Sequence, residues 1–256
     1  MKKLLMILLA SLVALPACAA PLLVAAAADL SYCIDDLAAA FRKEAPGAEI
    51  KVSTGASGNF FAQIRNGAPF DVFLSADMDY PAQLARLGAA DGATLAPYAI
   101  GRIALWTVDP RFDLAQGMAA LRDPRAQRIA IANPATAPYG RAAKAALERD
   151  GLWSALQPRL VIGENIAQAT QFVQSGNAQL GIVSLASLHS PRLAGVGRYY
   201  LIADTGMAPI EQGAIVTRHG AGNPLAARFV RFLGSPAARS ILESNGFGLP
   251  VKRPHG

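Results

Sequence analysis

The chain of 256 residues is short of charge and of the residues that build scaffolds or metal sites. Only 16% of it is charged while 52% is hydrophobic, so it can bury a core and is not disordered. Two cysteines are too few for a disulfide scaffold, and the 23 glycines follow no period, which excludes a collagen-like chain. The formal charge of +6 permits an acidic partner, but Lys and Arg are scattered singly. Without a basic run and interleaved aromatics, nucleic acid is not an expected partner. His189, His219 and His255 have no metal-ligand spacing with one another or with a cysteine. A G-x-x-x-x-G-K-[ST] loop is missing too, which excludes ATP hydrolysis by that route.

The apolar stretch that stands out opens the chain. Lys2 and Lys3 precede Leu4 to Leu15, and Pro16-Ala17-Cys18-Ala19 ends in small residues. Residues 1–20 therefore read as an export signal, too short to span a bilayer. Cleavage after Ala19 is expected ahead of lipidation at Cys18, because Pro16 is an unusual occupant of a lipoprotein site. An exported chain meets an oxidising compartment, where an unpaired Cys33 is expected to be buried and inert.

Beyond the signal, strand-like and helix-like segments alternate, which predicts α/β lobes with largely parallel sheets. The length suits one large domain or two small lobes. Leu22 to Ala27 is a short apolar strand, and Leu30, Ile34, Leu37 and Phe41 recur at helical spacing until Pro46-Gly47. Tyr98 to Val108 is a β-prone segment long enough to cross between lobes. Asn165 with Gln168 three residues on predicts a capping box, and Asn223-Pro224 a helix start.

Three strand-to-helix junctions carry small or donor-bearing residues: Ala26-Ala27-Ala28-Asp29, Thr54-Gly55-Ala56-Ser57-Gly58 and Asn133 to Gly140. A weaker fourth is Glu164-Asn165-Ile166. Each offers free backbone N–H groups at a helix start, where the macrodipole is positive. Any one junction is an ordinary turn; several converging would bind an anion without Lys or Arg. Catalytic motifs fare worse. Gly55-Ala56-Ser57-Gly58-Asn59 nearly matches a nucleophile elbow, but Asn59 breaks it and the histidines lie beside turns or the terminus. Asp77-Met78-Asp79 lacks the glycine and glutamate of a calcium loop and predicts a helix cap.

The stretches A-A-A-D-L (26–30), G-A-S-G (55–58), Q-I-x-N-G-A-P-F-D-V-F-L-S-A-D (63–77), Y-A-I-G (98–101), N-P-x-x-A-P-Y-G (133–140), E-N-I-x-Q-A (164–169), L-G-I-V (180–183) and G-F-x-L-P (246–250) run in one order through nearly all of the chain after the signal. In that order the chain resembles the periplasmic molybdate-binding proteins that feed ABC transporters. The resemblance implies a two-lobed α/β periplasmic binding protein of type II, with the ligand cleft between lobes joined by crossing segments. Residues 22–99 with 205–256 would form lobe 1 and residues 100–204 lobe 2, the signal occupying 1–20. It also implies a monomer in the periplasm, without enzymatic activity or cofactor. Such a protein captures molybdate or tungstate and hands it to a transporter's permease and ATPase, meeting the membrane only there.

Residue by residue, the resemblance places the oxyanion on Ala28 and Asp29, Ser57, Tyr139 and the backbone N–H of Ile166. The metal would be held only as its oxyanion, through those same residues. Some members place the tyrosine after L-G-I-V, where this chain has Ser184. Molybdate and tungstate carry no proton at neutral pH, so their oxygens only accept hydrogen bonds and N–H and O–H donors suit them. Asp29 is harder to reconcile, since family members often carry Ser or Asn there and an ionised carboxylate cannot donate. Its place just before Leu30 predicts a helix N-cap whose carboxylate turns away from the cleft. The rival readings are a receptor for another oxyanion such as sulfate, a secreted serine hydrolase using Ser57, and a sensing module.

Overall fold

The structure, a computed structural model, describes residues 20–250; Cys18, His255 and the expected signal up to Ala19 lie outside the described residues. The chain enters with β1 (Leu22–Ala27), a tight 3-10 turn (Ala28–Tyr32), α1 (Ile34–Glu44), β2 (Ile50–Gly55), α2 (Ser57–Arg65), β3 (Val72–Ser75), α3 (Asp79–Arg86) and β4 (Ala96–Gly101). It continues through β5 (Ile103–Thr107), β6 (Ile129–Ala132), α4 (Pro138–Arg149), α5 (Trp153–Leu156), β7 (Leu160–Gly163), α6 (Ile166–Gln174), β8 (Leu180–Ser184), α7 (Leu185–His189) and β9 (Arg198–Leu201). The last elements are β10 (Ile210–Val216), α8 (Pro224–Phe232) and α9 (Pro236–Ser244).

Two five-stranded sheets result, ordered β2-β1-β3-β10-β4 and β7-β6-β8-β5-β9. The first forms lobe 1 and the second lobe 2. The chain passes from one to the other around Arg102, between β4 and β5, and returns between β9 and β10. The long β-prone segment over Tyr98 to Val108 is thus two strands in different sheets. The sheets are also mixed rather than largely parallel. Strands β1, β2 and β3 run parallel, as do β6, β7 and β8, while β10 and β5 pair antiparallel to their neighbours. The reason is the crossing: β5 and β10 each enter their sheet from the other lobe, not through a helix of their own.

Helices cover both faces of the first sheet, and its strands alternate accordingly. Ala25, Phe73 and Ile215 pack with Phe60, Ile64 and Leu84. Val24, Leu74 and Ala214 face the other way, onto Leu37, Phe41 and Phe229. Phe41 meets Phe229 edge-on at 5.1 Å between ring centroids, which ties α1 to α8. Cys33 lies buried in this layer as a free thiol, and burial pushes its ionisation far above the ordinary thiol range. In lobe 2, Trp106, Ile131, Leu147 and Ile182 form one core that continues onto Ala27, Ala28, Ala56 and Ala76 of lobe 1. Small side chains at the ends of the lobe 1 strands let the lobes approach closely.

Candidate functional site: a cavity between the lobes

The parallel strands of both sheets end facing the same gap. Ala27 to Asp29 follow β1, Gly55 to Ser57 follow β2, Ala76 follows β3, Ala137 to Tyr139 follow β6, and Asn165 and Ile166 follow β7. All of them line one small cavity. This is where open α/β sheets place ligands, outside the carboxyl ends of their strands. The cavity is tight: about 10 Å³ is open to the centre of a water-sized sphere, room for roughly one water and far below the roughly 300–1,000 Å³ of drug-sized ligand pockets. Its converging donors, rather than its volume, point to a compact ion. The structure brings Ala28, Asp29, Ser57, Tyr139 and Ile166 together here, whereas Ser184 instead caps α7 through the N–H of Ser187.

Each helix start contributes donors because first-turn N–H groups have no partner in their own helix. At α2, Gly58 N–H spends itself across the gap on Thr136 O at 2.8 Å, which leaves Ser57 N–H. At α6, Asn165 caps Gln168 N–H at 3.1 Å, and the Gln168 amide oxygen takes Glu164 N–H at 2.6 Å. The expected capping box therefore closes on Glu164 rather than on Asn165 itself, and Ile166 N–H remains. At α4, Pro138 opens the helix, so Tyr139 carries its first N–H. The Ser57 hydroxyl accepts Ala76 N–H at 3.0 Å, so its own proton is free to donate. No Lys or Arg lines the cavity.

Asp29 is the exception among these donors. It is not an N-cap: α1 begins only at Ile34, and Asp29 sits inside the 3-10 turn, wholly buried. Tightening that turn keeps Leu30 in the core and swings the carboxylate inward. Asp29 Oδ2 accepts Tyr139 O–H at 2.9 Å and Gln212 Nε2 at 2.5 Å, while Oδ1 has no hydrogen-bond partner. Burial raises the carboxyl to about 6, against the pull of Gln212, Tyr139 and the nearby backbone amides of Asp29 and Leu30. Tyr98 O–H donates to Gln212 Oε1 at 2.6 Å and so turns the Gln212 amide N–H toward Asp29. Burial, with the Asp29 charge nearby, keeps the Tyr98 and Tyr139 hydroxyls well above their ordinary range and protonated.

Sequence reasoning missed Gln212 and Tyr98. The available signal was a polar residue, Gln212, directly before the apolar run Gly213 to Val216, inside what is strand β10. Other contacts also join the walls. Asn59 Nδ2 donates to Glu164 Oε1 at 3.1 Å. Arg141 pairs with Asp77 and sits 5.2 Å over the Tyr80 ring. As expected, Asp77 also caps α3, taking Tyr80 N–H at 3.0 Å. Away from the gap, His219 binds Asp71, and among the described residues no cluster of His, Cys, Asp or Glu could hold a metal ion.

Comparison with known proteins bears on the family and the fold. A family model described as bacterial extracellular solute-binding protein matches residues 22–248. The molybdate-binding protein ModA of Azotobacter vinelandii is 39% identical over 241 residues, 94% of each chain. ModA of Rhodobacter capsulatus is 34% identical, over 91% of this chain and 90% of its own. The solved periplasmic molybdate-binding protein of Azotobacter vinelandii superposes with a TM-score of 0.84 at 34% identity, covering 90% of this chain and all of that one. The type II two-lobed architecture is therefore shared, and the chain belongs to the bacterial extracellular solute-binding protein family, together with these ModA proteins.

Proposed function

We propose that this protein is an extracytoplasmic receptor that closes its lobes on molybdate or tungstate and delivers the anion to an ABC transporter. The observation that carries the reading is the cavity itself: helix starts from both lobes converge on it with unspent N–H groups and the Ser57 hydroxyl, and no cation lines it. A tetrahedral dianion that only accepts hydrogen bonds suits neutral donors, and the absence of a buried ion pair to the ligand keeps release possible. Contacts made to both walls favour the closed form, since a ligand shifts a two-state hinge by its differential affinity. Binding and release involve no bond making in the ligand, which fits a carrier rather than an enzyme. Ala28, Asp29, Ser57, Tyr139 and Ile166 are the proposed contacts, touching the anion's oxygens and never the metal.

The chain would act as a monomer in the periplasm, with a permease and its ATPase as partners. The similarity to ModA proteins supports this placement, as does the signal-like leader. The rival hydrolase has little to work with, because the Ser57 hydroxyl is bonded to a backbone amide and not to a histidine. Calorimetry with a panel of oxyanions tests the reading. Molybdate and tungstate should bind at one site per chain, with sulfate and phosphate at least ~100-fold weaker, about 2.7 kcal/mol. Comparable sulfate affinity would make the protein a general oxyanion receptor instead.

A further inference from the structure

The molybdate reading leaves one group unexplained. A site for a dianion has a buried carboxyl in its wall, with one oxygen unpartnered and no cation beside it. We propose that Asp29 carries a proton whenever the dianion occupies the cleft, so that capture takes up one proton and Asp29 sets which protonation state of an oxyanion the site accepts. This rests on the function proposed above and goes further, because it makes the carboxyl a specificity-determining residue.

Geometry supports it in three ways. Asp29 lines the cavity and is wholly buried, so water cannot screen its charge from a bound anion. Both side chains that donate to it, Tyr139 O–H and Gln212 Nε2, reach the same oxygen, Oδ2, and like the nearby backbone amides of Asp29 and Leu30 they are neutral. Oδ1 lacks any partner, which is costly for a buried carboxylate oxygen; protonated, the same oxygen becomes a donor that an oxygen of the bound anion would accept. Burial, against the pull of its hydrogen-bond donors, already raises this carboxyl to about 6, and a dianion alongside acts in the raising direction.

The surroundings offer no rival for the proton and no compensating charge. From α4 comes Tyr139, and from β4 comes Tyr98 through Gln212 of β10; both hydroxyls stay protonated. Cys33, beyond the 3-10 turn, stays a thiol. Tyr32, in the same turn, lies near Ser187 and Arg192. Of the elements packed on that turn, β1 and α6 carry no ionisable side chain. Asp35 and Asp36 of α1, Lys51 of β2 and His189 of α7 are exposed to solvent. Arg141 of α4 is engaged by Asp77, and Glu211 of β10 is half-buried; neither is bonded to Asp29.

The balance is simple. The carboxylate, one solvent proton and the dianion become a carboxylic acid beside the dianion; one O–H bond forms and nothing else changes. An oxyanion that keeps a proton of its own could donate it to ionised Asp29 and would need no uptake. The two cases therefore differ in proton stoichiometry as well as in ligand.

Calorimetry with sodium molybdate between pH 6 and 8.5, in two buffers of different ionisation enthalpy, tests this. The wild type should take up close to one proton per anion at pH 8, and its affinity should fall roughly tenfold per pH unit above the carboxyl's own titration. Asp29→Asn keeps an acceptor for Tyr139 and Gln212 and adds N–H donors. It should take up no proton, and its affinity, whatever its level, should not vary with pH across the range. Asp29→Ser, which shares the loss of charge, guards against a fold defect peculiar to the amide. A wild-type affinity that is high and flat with pH, without proton uptake, would overturn the proposal and leave the molybdate reading standing. A pH slope that survives in both variants would place the proton elsewhere. Binding of inorganic phosphate without proton uptake, and of neither metallate, would overturn both readings together.

Discussion

Lobe 1 meets the cavity with side chains already hydrogen-bonded among themselves, whereas lobe 2 meets it mainly with the starts of two helices. On the lobe 1 side, Tyr98 orients Gln212, Gln212 holds Asp29, and Ser57 is fixed by Ala76 N–H. On the lobe 2 side, the offered groups are the N–H of Tyr139 and of Ile166, held by a proline and an asparagine cap. The Tyr139 hydroxyl reaches over to Asp29 and so belongs in effect to the other wall. The difference suggests a division of labour. On the proposed function, lobe 1 would judge charge and protonation, and lobe 2 would supply donors and the contacts that hold the cleft shut.

The largest effect should come from removing the charge in lobe 1. The Asp29 carboxyl stands at about 6 in the folded chain against an ordinary 3.8. Between those values the folded state binds more protons than the unfolded one, so stability is present below about 4 and is lost as pH rises through about 6. A shift of about 2 units corresponds to roughly 3 kcal/mol lost by pH 8. Asp29→Asn cannot titrate. Without ligand it should be more stable than the wild type by up to ~3 kcal/mol at pH 8, with the gap narrowing toward pH 4. Urea unfolding across that range checks it, and a gap that widens on acidification would mean the carboxylate is held by something stabilising.

Two neighbours in α2 should separate donation from closure. Ser57→Ala leaves an anion oxygen short of a donor, a loss of roughly 1.5–3 kcal/mol in binding, yet the lobes should still close on saturating ligand. Gly58→Ala keeps every donor. Its Cβ would fall 2.7 Å from Thr136 O across the gap and 2.7 Å from the Tyr80 hydroxyl of its own lobe. The crowding on Thr136 exists only in the closed form, whereas the Tyr80 hydroxyl, at the far end of a side chain, can move aside in either form; affinity should drop by about 1–3 kcal/mol with little change in the ligand-free melting temperature. Small-angle scattering with and without molybdate distinguishes them. If Gly58→Ala closes fully with unchanged affinity, the tight approach at α2 is not part of closure.

The elements were legible because apolar periodicity reports local burial. Val24, Phe73 and Ile131 announce strands, and the donor-bearing junctions announce helix starts at Ser57, Tyr139 and Ile166. Pairing direction was not legible, because β5 and β10 owe theirs to a crossing that spans the whole of lobe 2. Asp29 was misplaced for a related reason: Leu30 is on the apolar period, but a 3-10 turn and an α-helix bury it equally well while sending residue 29 in different directions. Gln212 meets Asp29 from 183 residues away, and no local pattern encodes such a partner.

The smallest effect should lie at the rim, where the two walls touch outside the cavity. Arg141 of α4 pairs with Asp77 and donates to the Tyr80 hydroxyl at 3.3 Å, its guanidinium stacked over the same ring. The Arg141 side chain is 41% exposed and that of Asp77 14%, so water and salt reach half of the clasp. An exposed pair of this kind contributes about 0–1 kcal/mol, and the ring contact about 0.5–1. Burial raises the Asp77 carboxyl and Arg141 draws it back down, so the pair should weaken once acid protonates Asp77. Because the clasp forms only on closure, Arg141→Ala should act on the dissociation rate of molybdate, raising it by about 2- to 30-fold at low salt. In 1 M salt, with a screening length of about 3 Å, the coulombic share should fade and leave the ring contact. Arg141→Lys, which keeps charge without the planar fork, should fall between the two. A salt-independent loss of a hundredfold would mean that the rim selects the anion as strongly as lobe 1 does, and the division between the walls would have to be redrawn.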